Sequence, residues 1–478
     1  MASYSYADNN NVKTKTYYDQ NKTVLVKTIH RDVYGRITNI TYANKDGKEI
    51  YSTSLGFSEP TSILAKEITH NWKSIMGIAD ITHKNTNEYD YADRLINVLG
   101  DSPGSYSFDE IGRMKTKNEN GTSIDYIYRS GTYRPSEFSI TNYGSSGKYA
   151  TETTDFLRYD ASGNAWYDKN SNVLYKNNVN GLPVRAYKFT SIPENVTLNE
   201  VNSGTLDKYN PVMVVDFAYD ESGSRVWYSV DDRENGRRYT HVSIPGVGVY
   251  TSEELYAADV GTKAASASPV FTLARMDLVA GGYRVPRGSE SIAYFPVTDA
   301  QGNVRGYAST AGLQSAYDYY AYGTAVEIAR GTADDNKRWQ GKEYDEPIRK
   351  LYFGSRYFDP FFGMWMSPDP AAQFANPYTY GGDPVNFVDP NGEEVATAVI
   401  VTGAIVGAVV GGGTALYNCS NYGGGSCTKG VTVGALSGAV AGAAGGAAGA
   451  AAGGGIVGGM AGGAASSGAG YVATGLMT

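Results

Sequence analysis

The chain has 478 residues, long enough for roughly two or three ordinary domains or one large β array. Its 41 Lys and Arg against 49 Asp and Glu give a net charge of −8, which argues against a nucleic-acid-binding surface. The 40 tyrosines and 58 glycines, set among many Asn and Asp, suit short strands joined by tight turns more than helices.

Met1-Ala2-Ser3-Tyr4-Ser5-Tyr6 has neither a basic nor an apolar segment, so no signal peptide is visible. Export would need a dedicated machine, or the chain is the tail of a longer protein. Residues 1–310 carry a loose repeat: an aromatic, an Asp, a short turn, then Gly or Asp followed by Arg or Asn. Copies are Tyr89-Asp90-x-x-Asp93-Arg94, Phe108-Asp109-x-x-Gly112-Arg113, Tyr159-Asp160-x-x-Gly163-Asn164, Tyr219-Asp220-x-x-Gly223-x-Arg225 and Thr298-Asp299-x-x-Gly302-Asn303. Val33-Tyr34-Gly35-Arg36 is a degenerate copy, and Tyr317-Asp318 leads into the next block. Asp109 follows Asp90 by 19 residues, as Asp318 follows Asp299. Each copy reads as a hairpin whose Asp and Gly make the turn and whose aromatic packs on the next unit. A lone hairpin buries too little to stand, so the units must stack. A long ribbon of them twists and curls, and a β-sandwich or propeller set is the alternative. Residues 185–215 and 250–275 break the pattern and read as loop insertions, with a short helix expected over 253–259.

His30, His70, His83 and His241 stand far apart without metal-ligand spacing, so neither a metal nor a cofactor is expected.

From Tyr344 to Gly392 the chain is dense in aromatics and holds four Asp-Pro steps, at Asp359, Asp369, Asp383 and Asp389. Proline fixes its own φ and biases its predecessor toward extended backbone, so each step reads as a turn or a strand end. Asp369 and Asp389 stand 20 positions apart, a spacing that lets two turns meet. Carboxylates held close cannot both ionise cheaply, which yields a general acid and a general base around one water. An Asp-Pro turn also stands without any catalysis, because Asp caps turns by itself.

Four motifs here occur in order. They are Leu351-Tyr352-Phe353-Gly354-Ser355-Arg356-Tyr357-Phe358-Asp359-Pro360, Gly363-x-Trp365-x-Ser367-Pro368-Asp369-Pro370, Asn376-Pro377-Tyr378-x-Tyr380 and Pro384-Val385-Asn386-x-x-Asp389-Pro390-x-Gly392. Together they resemble the Rhs repeat-associated core domain of bacterial Rhs/YD-repeat polymorphic toxins and of the C subunits of Tc toxin complexes. The resemblance implies a mainly β fold in which the YD-repeat hairpin ribbon curls into a shell. It divides the chain into a repeat segment at 1–310, a core domain at 311–392 and a tail at 393–478. It also implies an aspartyl-protease-like pair, Asp369 and Asp389, with Arg356 orienting the site and a cut in the region of Gly392, Glu393 and Glu394. The family has Leu after Asp-Pro-x-Gly where this chain has Glu393, an acidic residue that would not fill an apolar subsite.

Beyond Glu394 the composition changes to Gly and Ala, with Lys429 as the tail's charge. Val395 to Leu416 is an uncharged run long enough to span a bilayer as a helix. Glycine recurs every fourth residue at Gly403, Gly407 and Gly411, then at Gly434, Gly438 and Gly442, placing a small-residue face on each of two helices. A membrane-active α-helical hairpin and a Gly/Ala linker are both open readings, as are a Cys419–Cys427 disulfide and two thiols.

Two functions follow. In one, a toxin-delivery shell encloses or presents its own C-terminal segment and releases it by aspartyl self-cleavage. Its partners would be that segment, a target-cell membrane, an export machine and an immunity protein. In the other, a non-enzymatic, adhesive cell-surface YD-repeat protein uses the tail as an anchor. Both place the chain outside the cytosol, secreted or at the cell surface, and neither calls for nucleic acid.

Overall fold

The computed structural model describes residues 2–397 apart from 7–11, 21, 60–61, 74, 76, 144–148, 222, 245–246, 256–269, 279–280, 289, 330, 332–335 and 394–395. With 56% strand and 3% helix the fold is mainly β, as the composition implies. A first sheet of 13 strands runs from Ala2–Tyr6 to Tyr149–Thr154, and a second of 14 from Leu157–Tyr159 to Ala325–Ala329. Within each sheet every strand pairs with its neighbours in the chain, and the pairings are antiparallel. Side chains alternate across the ribbon: in Ala65–Trp72, Ile68, His70 and Trp72 are buried while Glu67, Thr69 and Asn71 between them are more exposed.

One turn recurs along the ribbon. Asp90 donates its N–H to the carbonyl of Arg94, and Asp93 returns one to the carbonyl of Asp90. Asp90 Oδ1 accepts the N–H groups of Ala92 and Arg94, and Oδ2 accepts Arg94 Nε at 2.7 Å. Asp32 with Arg36 and Asp109 with Arg113 repeat this arrangement. Asp160 with Asn164 and Asp299 with Asn303 keep it with an amide in place of the guanidinium. The residue before the arginine has positive φ, +80° at Gly112 and +58° at Asp93, a region that Gly enters without strain. Register shifts by one residue beside each such aromatic, as at Glu88/Tyr89 and Ala218/Tyr219, so a β-bulge accompanies the turn.

The arginine then reaches beyond its own turn. Arg94 donates to the carbonyl of Asp109 at 2.9 Å and stacks on Phe108. Arg113 donates to the carbonyl of Thr132 at 2.7 Å and stacks on Tyr128, and Arg134 stacks on Tyr159. Arg94 and Arg113 thereby each tie one turn to the next with an ion pair, a hydrogen bond and a cation–π contact.

The two sheets face each other through a long-range core. Trp72 Nε1 donates to the carbonyl of Arg305 at 2.9 Å, Thr298 N donates to Tyr42 Oη, and Tyr17 packs on Phe295. Residues 343–392 form a 4-stranded sheet and a series of turns bonded to both large sheets. On the first sheet, Leu95 N donates to the carbonyl of Gly382, and Tyr126 Oη to that of Phe362. On the second, Ala165 N donates to the carbonyl of Met366, and Tyr378 Oη to that of Gly163. Trp365 is fully buried against Phe353, Phe358 and Tyr380, whereas Phe387 is half-buried.

Two expectations need correction. Glu253 to Leu255 is not helical: it ends the strand Gly248–Leu255, because Glu253 pairs with Tyr239 and Glu254 with Arg238 across the sheet. The interruption at 185–215 is narrower than expected, since Pro183–Lys188 and Met213–Tyr219 are adjacent strands with Arg185 opposite Asp216. Between them lies the helix Leu198–Ser203, capped by a reciprocal Thr197–Glu200 pair and stopped at Gly204. The strand Thr272–Leu278 likewise begins within 250–275. The tail helices, with Gly403, Gly407, Gly411, Gly434, Gly438 and Gly442, and both cysteines lie outside the described residues. Among the described residues no helix is long and apolar enough to cross a membrane.

Trp365→Ala removes a ring with no exposure, so it should cost about 3–5 kcal/mol of stability. Urea denaturation measures this, and a loss below about 1 kcal/mol would show that the ring does not organise the core.

Candidate functional site

The four Asp-Pro steps share one local device. Proline lacks an N–H, so the first backbone donor after the aspartate lies two residues on, and the side chain takes it. Asp359 Oδ1 accepts Phe361 N, Asp369 Oδ1 accepts Ala371 N, Asp383 Oδ1 accepts Val385 N and Asp389 Oδ1 accepts Asn391 N, all at 2.9–3.2 Å. Such turns place carboxylates at fixed orientations inside an aromatic core.

Arg356 joins two of them. Its side chain is 3% exposed and its guanidinium carbon lies over the Trp365 ring, 4.0 Å from the centroid. One terminal nitrogen is 3.5 Å from Asp369 Oδ1, and the other is 3.5 Å from Asp389 Oδ2. Its Nε donates to the carbonyl of Gly392. A single guanidinium therefore bridges the two aspartates and pins the carbonyl at the end of the Asp-Pro-x-Gly turn. Gly392 itself has φ +83°, and a Cβ there would stand 3.1 Å from both Arg356 N and Phe353 Cβ. Only glycine fits this close approach of the turn to the arginine's backbone.

The two oxygens of Asp389 differ. Oδ1 accepts the N–H groups of Asn391 and Gly392. Oδ2 is buried, has no hydrogen bond, and faces Arg356. Burial raises the Asp389 carboxyl above its ordinary value, with Arg356 and the backbone donors opposing. The same burial lowers Arg356, opposed by the charges of Asp369, Asp389 and Glu393. Lys342 donates to the carbonyl of Pro390 and is pushed down to about 8, chiefly by burial.

Sequence reasoning missed the residues that aim Asp389. Gln340 Oε1 accepts Asp389 N at 3.1 Å and Tyr380 Oη at 2.6 Å, while Gln340 Nε2 donates to the carbonyl of Phe387. Gln340 has φ +50° inside a 3₁₀ turn, and nothing in its local sequence signals that. Glu393 does not enter an apolar pocket. Ser355 Oγ donates to one of its oxygens at 2.8 Å and Asn391 Nδ2 to the other at 3.0 Å. Glu394 lies outside the described residues. Among those residues no cluster of His, Cys, Asp and Glu has the makings of a metal site. The arrangement offers a carboxyl with one free oxygen, a second carboxylate, and a cation on a main-chain carbonyl.

No family model matches the chain. It is 34% identical over 151 residues to the tRNA(Glu)-specific nuclease WapA of Bacillus subtilis subsp. natto, covering 29% of this chain and 6% of that protein. Toxin subunit YenC2 of Yersinia entomophaga is 39% identical over 82 residues, 16% of this chain and 8% of its own. Salivary gland surface protein 1 of Aedes aegypti is 28% identical over 210 residues, 42% of this chain and 6% of its own. The chain spans between 5% and 11% of the length of the curated relatives it matches. Among solved structures, a TcdB2–TccC3–Cdc42 crystal structure superposes with a TM-score of 0.48 at 14% identity, over 82% of this chain and 21% of that one.

Arg356→Met leaves two buried carboxylates without their cation and should cost about 3–5 kcal/mol at neutral pH. Without the guanidinium, burial holds the folded-state Asp389 carboxyl above its unfolded value. A raised acid stabilises the fold below its folded pKa and loses that contribution as pH rises through it. The gap between variant and wild type should therefore narrow from about pH 7 to about pH 5 in urea titrations. An unchanged gap would mean that the guanidinium does not hold these carboxylates.

Proposed function

We propose that this chain is part of an Rhs-type toxin-delivery shell, which encloses or presents a C-terminal segment. The 39% identity to toxin subunit YenC2 carries this reading. A ribbon of consecutively paired strands, clasped turn to turn, supports it as a wall that can extend by adding units. The division into repeat ribbon at 1–310, core at 311–392 and tail at 393–478 belongs to the same proposal.

The core is the self-processing element. One carboxyl of the Asp369–Asp389 pair takes a proton from water as the water attacks the backbone carbonyl beside Glu393, and the other gives a proton to the departing nitrogen. Arg356 positions the strand through the Gly392 carbonyl, and Asp389 Oδ2 is the oxygen free to act. The tail would be the released or membrane-directed segment. A second reading is a non-enzymatic surface protein, favoured by the anchoring of Glu393 by Ser355 and Asn391, which holds the chain away from an apolar subsite. The 28% identity to a salivary gland surface protein agrees with it.

Intact-mass analysis of the purified chain decides between them. Cleavage near Glu393 should vanish in Asp369→Asn and in Asp389→Asn with the fold intact, and Glu393→Leu should speed it. A double Asp variant still cut at the same bond would assign the cut to an outside protease, and an intact wild-type chain would favour the surface reading. For the tail, a 395–478 peptide should leak dye from anionic vesicles. Replacing Gly438 and Gly442 by Leu should abolish leakage if the helices meet through their glycines. Undiminished leakage would refute that packing.

A further inference from the structure

A second cluster of chemically able groups lies apart from Arg356 and its aspartates. Lys350 stands at the start of the strand Lys350–Tyr352, and Asp359 at the end of Tyr357–Asp359. These strands pair antiparallel with Leu351 opposite Phe358, which puts Lys350 opposite Asp359. Asp168 arrives from the end of the strand Ala165–Asp168 in the second large sheet. The side chains of all three are at most 1% exposed. Tyr175, Tyr357 and Ile348 surround them.

The contacts are unequal in a way that matters for reactivity. Lys350 Nζ donates to Asp168 Oδ2 at 2.7 Å and to Ser171 Oγ at 3.0 Å. It also lies 2.9 Å from Asp359 Oδ2 but without hydrogen-bond alignment, and that oxygen has no hydrogen-bond partner. The other oxygen, Asp359 Oδ1, accepts two backbone N–H groups, from Phe361 at 2.9 Å and Phe362 at 3.2 Å. Two amides on one oxygen, and a second oxygen whose near neighbour is the lysine nitrogen, form the geometry of an acyl-transfer site with its oxyanion cradle. Pro360 lacks an N–H, so Asp359 cannot cyclise onto its own backbone and the lysine is the nucleophile within reach.

We propose that Lys350 and Asp359 form an autocatalytic intramolecular isopeptide bond, with Asp168 as the base. The Lys350 ammonium gives a proton to the Asp168 carboxylate, and the freed lone pair attacks Cγ of the protonated Asp359. Charge collects on Oδ1 against the N–H groups of Phe361 and Phe362. The Cγ–Oδ2 bond then breaks, and the hydroxyl leaves as water with a proton from the nitrogen. One C–N bond forms and one C–O bond breaks, nothing is oxidised or reduced, and Asp168 remains as a neutral acid facing the new amide. Burial raises Asp359 above its ordinary value, with Lys350 opposing; Lys350, which burial alone would lower, is held well above its own value by Asp168 and Asp359, so the step depends on Asp168 taking its proton. A cavity of about 10 Å³ lined by Lys350, Tyr175 and Tyr357 can take the released water. The bond would close the hairpin that carries Gly354, Ser355 and Arg356, fixing the loop that holds the Gly392 turn.

The proposal stands independently of self-cleavage, and a peptide map of the full chain tests it. Trypsin cuts after Arg349 and Arg356, and after Lys350 only if its amine is free, so a blocked lysine leaves Lys350–Arg356 beside the peptide that begins at Tyr357. The wild type should yield one branched species joining these two, lighter than their sum by one water. Lys350→Arg and Asp168→Asn should both give linear peptides. Linear peptides from the wild type would overturn the proposal whether or not any variant folds. A branch from Lys350 to Asp168 would overturn the assigned roles, and a bond persisting in Asp168→Asn would overturn Asp168 as the base.

Discussion

The clasp between an aspartate and the arginine four residues on is the contact that ties the hairpins of the first sheet together. An antiparallel meander has no crossover to fix its shape, so each hairpin must orient the next through its turn. The carboxylate of Asp109 closes its own turn with two backbone N–H bonds and holds the Arg113 guanidinium at 2.6 Å. That guanidinium then spends its remaining donors on the carbonyl of Thr132, in the following turn. A surface ion pair alone contributes little. Here the same group also covers an aromatic ring and satisfies a turn carbonyl, and the chain gains a rigid relation between successive hairpins.

The core block uses carboxylates for a different end. Its four Asp-Pro turns are built alike, yet their carboxyl groups meet different neighbours. Asp383 faces Asn386 and is raised to about 6, mainly by burial. Asp359 faces Lys350, while Asp369 and Asp389 face Arg356. A buried ion pair is weak evidence of stabilisation, because desolvation opposes it. The two ion-paired groupings beneath one aromatic cluster are better read as devices that fix orientation.

Much of this was legible in the sequence, for stated reasons. The aromatic-Asp-x-x-Gly-Arg spacing marks a turn because each residue type has its own task there: an acceptor, a positive φ and a donor fork. The Asp-Pro steps read as turns for the same local reason. What was not legible depends on residues far apart in the chain. Which carbonyl Arg94 meets follows from the length of the intervening strands, and Gln340 reaches Asp389 across 49 positions. The acidic run at Glu253 and Glu254 suggested a helix, yet Arg237 and Arg238 across the sheet supply the partners that make it a strand. Pairing overrode propensity there.

The exit of the core is governed by one short hairpin. Lys350–Tyr352 and Tyr357–Asp359 hold between them a loop in which Phe353 N donates to the carbonyl of Arg356, while Ser355 N donates to that of Asn391. Gly354, at φ +109°, lets Asn391 come within contact of that loop. The loop thus grips the Asp-Pro-x-Gly turn by its backbone, and Arg356 grips it by its side chain. Lys350 and Asp359 sit at the open end of the same hairpin, against Asp168 of the large sheet. Arg356 and this loop therefore tie the Gly392 turn to the hairpin whose open end holds the Lys350–Asp359 pair. A buried ammonium between two carboxylates holds that end with an ion pair, and an amide would hold it with a covalent bond.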